Sequence, residues 1–541
     1  MAPVTVVVIP ARDEAPNIAA CLTALAHQTV GPAAFEIIIV ADACSDDTET
    51  VVCAAAQRLG LTVTVLQGPG AGSGPARRLG MDAAAARLEA LGRSDGLIAT
   101  TDADSTPAED WLARQLAHLA RGATVVAGLI ELEPKDVMRL PAAVRERREG
   151  DARRRLADVT GSDPGAEHHH FAGASLGVTA QTYRRVGGLD ACAALEDQAF
   201  GAKLARHGIP VVRAADVRVR TSARTDGRAR RGLSVDLAVS TWREQRGYRA
   251  DAFTLEGLRA AKQTTTVSVV LPAKECAATV AGVLATTVAP ARAAGLVDEV
   301  IVIDAASCDG TAARAAALDA VVLQQDELLP EHGPALGKGD AMWRAVGHSR
   351  GDLVCFLDAD TEDPHPHHLL GLLGPLLQDP RVALVKGAFD RPFRAGGQNL
   401  PHEGGRVTEV MARPLLNLHF PLLAGFAQPL AGEFGGRRDL LMRIPFPVGY
   451  GVEIAVLIDA LDACGLQALA ECHLGTRQNR HQPLRALGEM AFAVLAAVER
   501  RLDGPRSVTG GHYLRPWENG AVVHVPVEER PPLDSLAAAA A

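Results

Sequence analysis

The sequence predicts an α/β protein of two tandem domains, each a mostly parallel sheet flanked by helices. Three observations carry that prediction. The chain has 541 residues, too many for one ordinary core at roughly 100 to 200 residues per domain. Strand-length, β-branched apolar runs alternate with Ala- and Leu-rich stretches of helical length, as in APNIAACLTALAHQ after the first strand, the pattern of a parallel sheet covered by helices. Above all, the chain repeats itself.

Taken in order, VTVVVIPARDEA with Pro10 returns as VSVVLPAKECA with Pro272, and EIIIVADACSDDT with Asp42 returns as EVIVIDAASCDGT with Asp304, both offset by 262. LIATTDAD ending at Asp104 matches LVCFLDAD ending at Asp360, offset by 256, and Glu196 in ALEDQAF matches Glu453 in GYGVEIA, offset by 257. Four landmarks in one order argue for two copies of one fold. Each strand runs into a polar cluster, and ligands in open α/β sheets bind beyond the carboxyl ends of the strands. The chemistry is therefore expected there, once per copy. The expected boundaries are 1–245 for the first domain, 246–263 for a helical connection, 264–505 for the second domain and 506–541 for a Pro- and Gly-rich tail.

Composition narrows the function. Hydrophobic residues make up 48% and charged residues 22%, as in a folded globular protein. A net charge of -9 argues against nucleic acid as a partner. Nine cysteines without a Cys-x-x-Cys pair suggest neither a disulfide framework nor a zinc ribbon, and a reducing cytoplasm is the simpler expectation. The run Val4 to Ile9 lacks the basic flank and length of a signal sequence. No apolar stretch has the length of a transmembrane anchor.

The acidic clusters carry the chemistry. Asp102 and Asp104, like Asp358 and Asp360, stand two apart at a strand end, so both carboxylates of a pair face one place. Paired hard oxygen ligands suit Mg²⁺ or Mn²⁺ carrying a diphosphate. Asp42 and Asp304 suit a ribose or base, while the Ser45–Thr48 and Ser307–Thr311 clusters also read as helix caps. The Gly-rich segments lack the spacings of dinucleotide-binding and Walker loops, which disfavours a nicotinamide oxidoreductase. Lys338, between glycines and opening a helix, is placed to meet an anionic diphosphate. His168–His170 reads as a lining of the acceptor face of the first copy, and Arg145 to Arg155 as a solvated helix face.

These residues resemble the GT-A glycosyltransferases of the family 2 type, a Rossmann-like fold that uses nucleotide-diphospho-sugars. The first copy is similar through IPARDE, TDADS, FAGASLGVTAQTYRRVGGLD, LEDQAF and TSAR. There the resemblance implies an inverting transferase with Asp197 as base beside Glu196. Pro10, Ala11, Glu14, Asp42 and Asp102 would hold the nucleotide sugar and Asp104 the metal. The second copy resembles the glucosyl-3-phosphoglycerate synthase family and its mannosyl relatives through GKGDAMWRAV, FLDADTEDPHP, GGRVTEVMARPLL, QPLAGEFGGRRDLL and HLGTR. That implies a retaining hexosyltransferase using UDP-glucose and 3-phosphoglycerate. Pro272, Ala273, Glu275, Asp304, Lys338 and Asp358 would hold the donor, Glu453 would act at the sugar, Gly405, Arg406, Val407 and Thr408 would receive the acceptor, and Asp360 and His481 would hold Mg²⁺ or Mn²⁺. It also implies pairing of two chains as a homodimer.

Two departures from that pattern stand out. The nucleotide-contacting Glu becomes Cys276, so Glu275 would have to substitute. The metal-binding His-Arg-Asn order is reversed as Asn479-Arg480-His481, leaving either His481 on a shifted loop or Asn479 in its place with the metal held by Asp360 alone. A different acceptor, with one copy degenerate and serving as a binding or assembly module, is the alternative reading.

Overall fold

The computed structural model describes residues 5–192, 195–227, 230–391, 393–395, 398–400, 404–477, 483–502, 510–517 and 520–540. It forms two compact units, Met1–Thr241 and Trp242–Ala541, each built on an eight-stranded sheet.

In the first unit the strand order is Val63–Gln67, Phe35–Ala41, Thr5–Ala11, Leu97–Thr100, Leu176–Thr179, Val125–Leu132, Val212–Thr221 and Ser105–Pro107. In the second it is Val321–Gln324, Glu299–Asp304, Val267–Ala273, Leu353–Phe356, Phe434–Arg437, Leu384–Asp390, Leu469–Thr476 and Gly247–Arg249. Seven positions correspond in order and direction, and in both sheets the fifth strand runs antiparallel to its two neighbours. The predicted α/β class with two mostly parallel sheets is the observed one.

The β-branched strands bury both faces. Val7, Ile9, Ile37 and Ile39 join one core layer of the first unit and Val6, Val8, Ile38 and Val40 the other. In the second unit Val267, Val269, Leu271, Val300 and Val302 belong to a layer with Leu369, Leu372 and Leu373 of the helix Pro366–Gln378. Strands covered on both faces need continuous apolar sequence, which is why these runs do not alternate.

The eighth strand is where the sheets differ. In the first it follows directly on Asp104, whereas in the second it is Gly247–Arg249, paired with Glu471–His473. The segment 246–263, expected as a connection, thus supplies an edge strand and the helix Leu255–Lys262. The segment expected as a tail also joins the second unit. Glu529–Arg530 pairs with Phe446–Pro447, Arg530 meets the buried Asp340 at 2.5 Å, and the Trp343 indole donates to the Pro531 carbonyl at 2.8 Å.

Candidate active sites

Both units build a site beyond the strand ends on a shared backbone plan. After the first strand Asp13 and Glu275 take the left-handed region (φ 51° and 52°), and after the second Ala43 and Ala306 do the same (both φ 53°). Non-glycine residues in that region are uncommon and collect at functional turns. Each first loop is latched to the helix that follows the second strand. Glu14 N donates to Thr48 Oγ1 at 2.7 Å, and Cys276 N donates to Thr311 Oγ1 at 2.8 Å. Asp46 and Asp309 accept from Thr48 N and Thr311 N, both at 3.0 Å, as the capping clusters predict.

That register locates the first departure. Cys276 occupies the place of Glu14, and Glu275 the place of Asp13, with its Oε1 accepting from Cys308 N at 2.9 Å. The Glu275 carboxylate does not take the position of Glu14, because the two residues stand one position apart on the same turn.

In the second unit the ions form a closed lattice. Lys338 donates to Asp358 at 2.8 Å and to Glu453 at 3.0 Å. Arg477, fully buried at the end of its strand, reaches Asp358 (3.3 Å), Asp360 (3.7 Å), Thr361 (2.9 Å) and, most closely, Glu433. Although burial opposes ionisation, Lys338 and Arg477 hold Asp358 well below the usual carboxylate range. Asp360 is the outward member of the pair, its side chain 70% exposed; partial burial and the charge of Asp358 raise it. Asp304 Oδ1 is buried with no hydrogen bond among the described residues, a group that a ligand N–H or O–H would satisfy.

At the turn expected to receive the acceptor, Gly405 takes φ 72° and Thr408 is buried. Arg391 stands beside them, its carbonyl accepting from Gly404 N at 2.9 Å. Burial, then the charge of Arg477, pushes Arg391 down to about 10, and its Nε is buried without a partner among the described residues. His481 and Asn479 lie outside the described residues.

Behind this site Lys386 is fully buried on its strand, donating to the Ala431 carbonyl at 2.6 Å and lying 4.8 Å from the Phe434 ring centre. Burial pushes its ammonium down to about 7.

The first unit closes its lattice differently. Arg77, one turn into the helix Ser73–Ala90, does what Lys338 does, bonding Asp102 at 2.6 Å and Glu196 at 2.9 Å. Arg224 is the strand-end arginine, and it pairs with Glu14 (2.6 Å) and Asp104 (3.0 Å). Burial and the neighbouring Asp102 raise Asp104 to about 6. Asp42 is engaged by the chain itself, accepting from Gly70 N at 2.6 Å and Gly72 N at 2.9 Å.

Glu196 and Asp197 open a helix together. Glu196 is buried against Arg77, while Asp197 accepts from the amides of Gln198 (2.8 Å) and Gly173 and is raised by burial, then by Glu196. A Cβ on Gly74 would meet Glu196 Cβ at 3.2 Å, and one on Gly339 would meet Val452 Cβ at 3.0 Å. By helix register Glu453 therefore corresponds to Asp197, not to Glu196 as the motif offset suggests. All these first-unit groups line one cleft of about 1960 Å³ with Pro10 and Ala11.

In the first unit the predicted groups line one cleft, and in the second Lys338, Asp358, Asp360 and Glu453 meet in one lattice; the structure adds Arg77, Arg224, Arg391, Arg477, Glu433 and Lys386. TSAR, HLGTR and QPLAGEFGGRRDLL, which contain Arg224, Arg477 and Glu433, gave a signal for three of these.

A model described as glycosyl transferase family 2 matches residues 6–179 and 268–433, more than half of the chain. The chain belongs to glycosyl transferase family 2. This family 2 glycosyltransferase is 44% identical over 282 residues to the glucosyl-3-phosphoglycerate synthase of Mycolicibacterium paratuberculosis, covering 52% of the chain and 85% of that protein. The crystal structure of mannosyl-3-phosphoglycerate synthase from Rubrobacter xylanophilus is 43% identical, with a TM-score of 0.50 over 55% of this chain and 99% of that one. A crystal structure of the Mycobacterium tuberculosis glucosyl-3-phosphoglycerate synthase with Mn²⁺, UDP and phosphoglyceric acid is 40% identical, with a TM-score of 0.47, covering 52% and 95% of the two chains. No helix among the described residues is long and apolar enough to cross a membrane.

Proposed function

We propose that the second unit transfers glucose from UDP-glucose to 3-phosphoglycerate, and that the first unit is a second, inverting glycosyltransferase. One observation carries the first assignment. The Asp358–Lys338–Glu453 lattice, suited to a sugar diphosphate, lies in the same charge field as the buried guanidinium of Arg391, which adjoins the Gly405–Thr408 turn. A donor site next to such a guanidinium suits an acceptor bearing phosphate or carboxylate. The likeness to a relative named glucosyl-3-phosphoglycerate synthase supports the same reading, and the likeness to a mannosyl-3-phosphoglycerate synthase supports the acceptor.

In this reading Asp304 receives the nucleoside, Lys338 the diphosphate and Glu453 the sugar, while Arg406, Val407, Thr408 and Gly405 receive the acceptor with Arg391 beside them. The exposed hard carboxylate of Asp360 fits Mg²⁺ or Mn²⁺, with Asp358 already neutralised by Lys338 and Arg477. Such an ion, when bound, stabilises charge on the departing diphosphate. Asp304, Pro272 and Ala273 lie at two adjacent strand ends, so the nucleoside would rest on backbone paired within the sheet.

In the first unit Asp197 is the base. Glu196 is committed to Arg77, whereas Asp197 is raised and lines the cleft, and a raised carboxylate is the better proton acceptor. Asp104 would hold that unit's metal, and Pro10, Ala11, Glu14, Asp42 and Asp102 frame its donor end.

The test is nucleotide release from UDP-glucose with Mg²⁺, with and without 3-phosphoglycerate, in wild type, Asp360→Ala and Asp104→Ala. Release that needs 3-phosphoglycerate and is lost in Asp360→Ala but kept in Asp104→Ala is the expected result. Release independent of 3-phosphoglycerate, or insensitive to Asp360→Ala, would overturn the assignment.

A further inference from the structure

The helix Ala142–Ser162 has 21 residues, of which only Val144 is buried. Apolar burial therefore does not explain its placement. Residues 145–155 are unburied, as the sequence reads them, and one face of the helix, including Arg148, Asp151, Arg155 and Val159, lines the first-unit cleft. The cleft's volume of about 1960 Å³ exceeds the ~300–1,000 Å³ that suffices for a small ligand, so it has room for an acceptor beside the donor.

Arginines reach that extra space from two elements, the helix Ala142–Ser162 and the strand Val212–Thr221. Arg148 and Arg155 are seven residues apart, two turns along one helix face. His169 sits in their field, with burial first and then both guanidiniums lowering it. Arg213, on the strand Val212–Thr221, pairs with Asp163 at 3.0 Å through NH1, yet its Nε is buried with no partner among the described residues.

Acids of the same helix, Glu149, Asp151 and Asp158, also line the cleft, but Asp151 is paired with Arg154. Asp236 lies near both arginines, but burial outweighs them and raises it, as expected for a carboxyl that accepts no direct bond from either. Burial also lowers Arg148, with Asp236 and Asp151 opposing that effect and Arg155 adding to it. Arg148 is half-buried and Arg155 exposed, and an incoming anion would give their guanidiniums charge-assisted hydrogen bonds.

We infer that the first unit's acceptor carries a phosphate or carboxylate, which Arg148 and Arg155 receive with Arg213 beside them. This rests on the reading of that unit as a glycosyltransferase and narrows its acceptor to an anionic, hydroxyl-bearing compound. The transfer breaks the donor's anomeric C–O bond, joins the acceptor oxygen to that carbon, and passes the hydroxyl proton to Asp197 while the nucleoside diphosphate leaves.

Site-resolved hydrogen exchange on the full chain tests this, with UDP and Mg²⁺ present and four probes added in turn: 3-phosphoglycerate, glycerate, glycerol 3-phosphate and glycerol. The expected result is slowed exchange in residues 142–162 with at least one anionic probe and none with glycerol. The two singly anionic probes tell carboxylate from phosphate recognition. Arg148→Gln with Arg155→Gln should raise the half-saturating concentration at least ~10-fold, the loss of one or two charge-assisted bonds. Absence of protection at 142–162 with every anion, or protection that survives the double substitution, would overturn the inference. UDP alone should slow exchange at the ends of the strands Thr5–Ala11 and Leu97–Thr100. If it does not, the underlying reading fails, and the two failures are told apart.

Discussion

Gly432→Ala should disable the second unit without changing any charge. A Cβ at this position would sit 2.4 and 2.6 Å from the Asp358 carboxylate oxygens and 2.5 Å from Lys338 Nζ, where ordinary contacts begin near 3.4 Å. These atoms would have to retreat by about 0.8 to 1.0 Å, and they are the two ends of one 2.8 Å ion pair. Neither end is free to swing away: the Asp358 and Lys338 side chains are 18% and 26% exposed, and Lys338 is also bonded to Glu453. Breaking a buried pair costs ~3–5 kcal/mol. Partial separation should cost about 2 kcal/mol, lowering the melting temperature by roughly 3 °C for a unit of this size. A displacement near 1 Å at the reacting groups is worth about 10²-fold in rate. The assay is 3-phosphoglycerate-dependent UDP release, read with a thermal melt. Gly173→Ala is the matched control, since its Cβ would fall 2.4 Å from Cζ and 2.5 Å from Nε of Arg77 in the other unit, and it should leave that release intact. Near wild-type rate and melting of Gly432→Ala would refute the close packing of this lattice and its place in the reaction.

Further outcomes follow from the same geometry. Glu433→Gln removes the nearest carboxylate from the buried Arg477 and should destabilise the second unit by about 3 kcal/mol, measurable by denaturant titration. Lys386 has a folded-state pKa near 7, below its usual value of about 10.4. Between these values the unfolded chain binds the extra proton, so this group's contribution to stability rises with pH. Lys386→Met should remove that rise, changing stability relative to wild type by on the order of 3 kcal/mol between about pH 6.5 and 9.5, whereas an equal effect at both would refute it. In alkylation followed by mass spectrometry, the exposed Cys53 and Cys308 should react first, and Cys276, Cys355 and Cys472 should stay protected until unfolding, because they are buried and burial raises their thiols.

Repetition made the fold legible. Two matching strand-end motifs at one offset, followed by two at nearly another, fix the order of the central strands, and β-branched runs without alternation announce a sheet covered on both faces. The aspartate pairs were legible because both members share one strand end. The cations that hold them were not: Arg77 meets Glu196 across 119 residues, and Arg224 meets Glu14 across 210. Spacing along a chain says nothing of such pairs. Lys386 was hidden for another reason, since a lone lysine in VALVKGAF reads as a polar interruption, and only the register of its strand sends it inward. Offset counting also matched Glu453 to Glu196, where the helix starts match it to Asp197, because one residue of loop length is invisible in short motifs. The strand Gly247–Arg249 is three residues long, too short to announce itself.

The two strand-end arginines show how far the copies have become separate proteins. Arg224 is matched by a glutamate of the first loop and Arg477 by one that precedes the fifth strand, so the same residue change has opposite meaning in the two contexts. A glutamate is required at position 14, where it answers a guanidinium. At position 276 it would add a carboxylate to the field of Asp358 and Asp360, whose arginine already has its partner. An alignment of motifs would score Cys276 as a lost residue, although the charge it lacks is carried elsewhere in its own unit. Motif-by-motif grafting between the halves should therefore fail where exchange of whole units succeeds, and recombination that cuts within a unit should be selected against more strongly than its sequence similarity suggests.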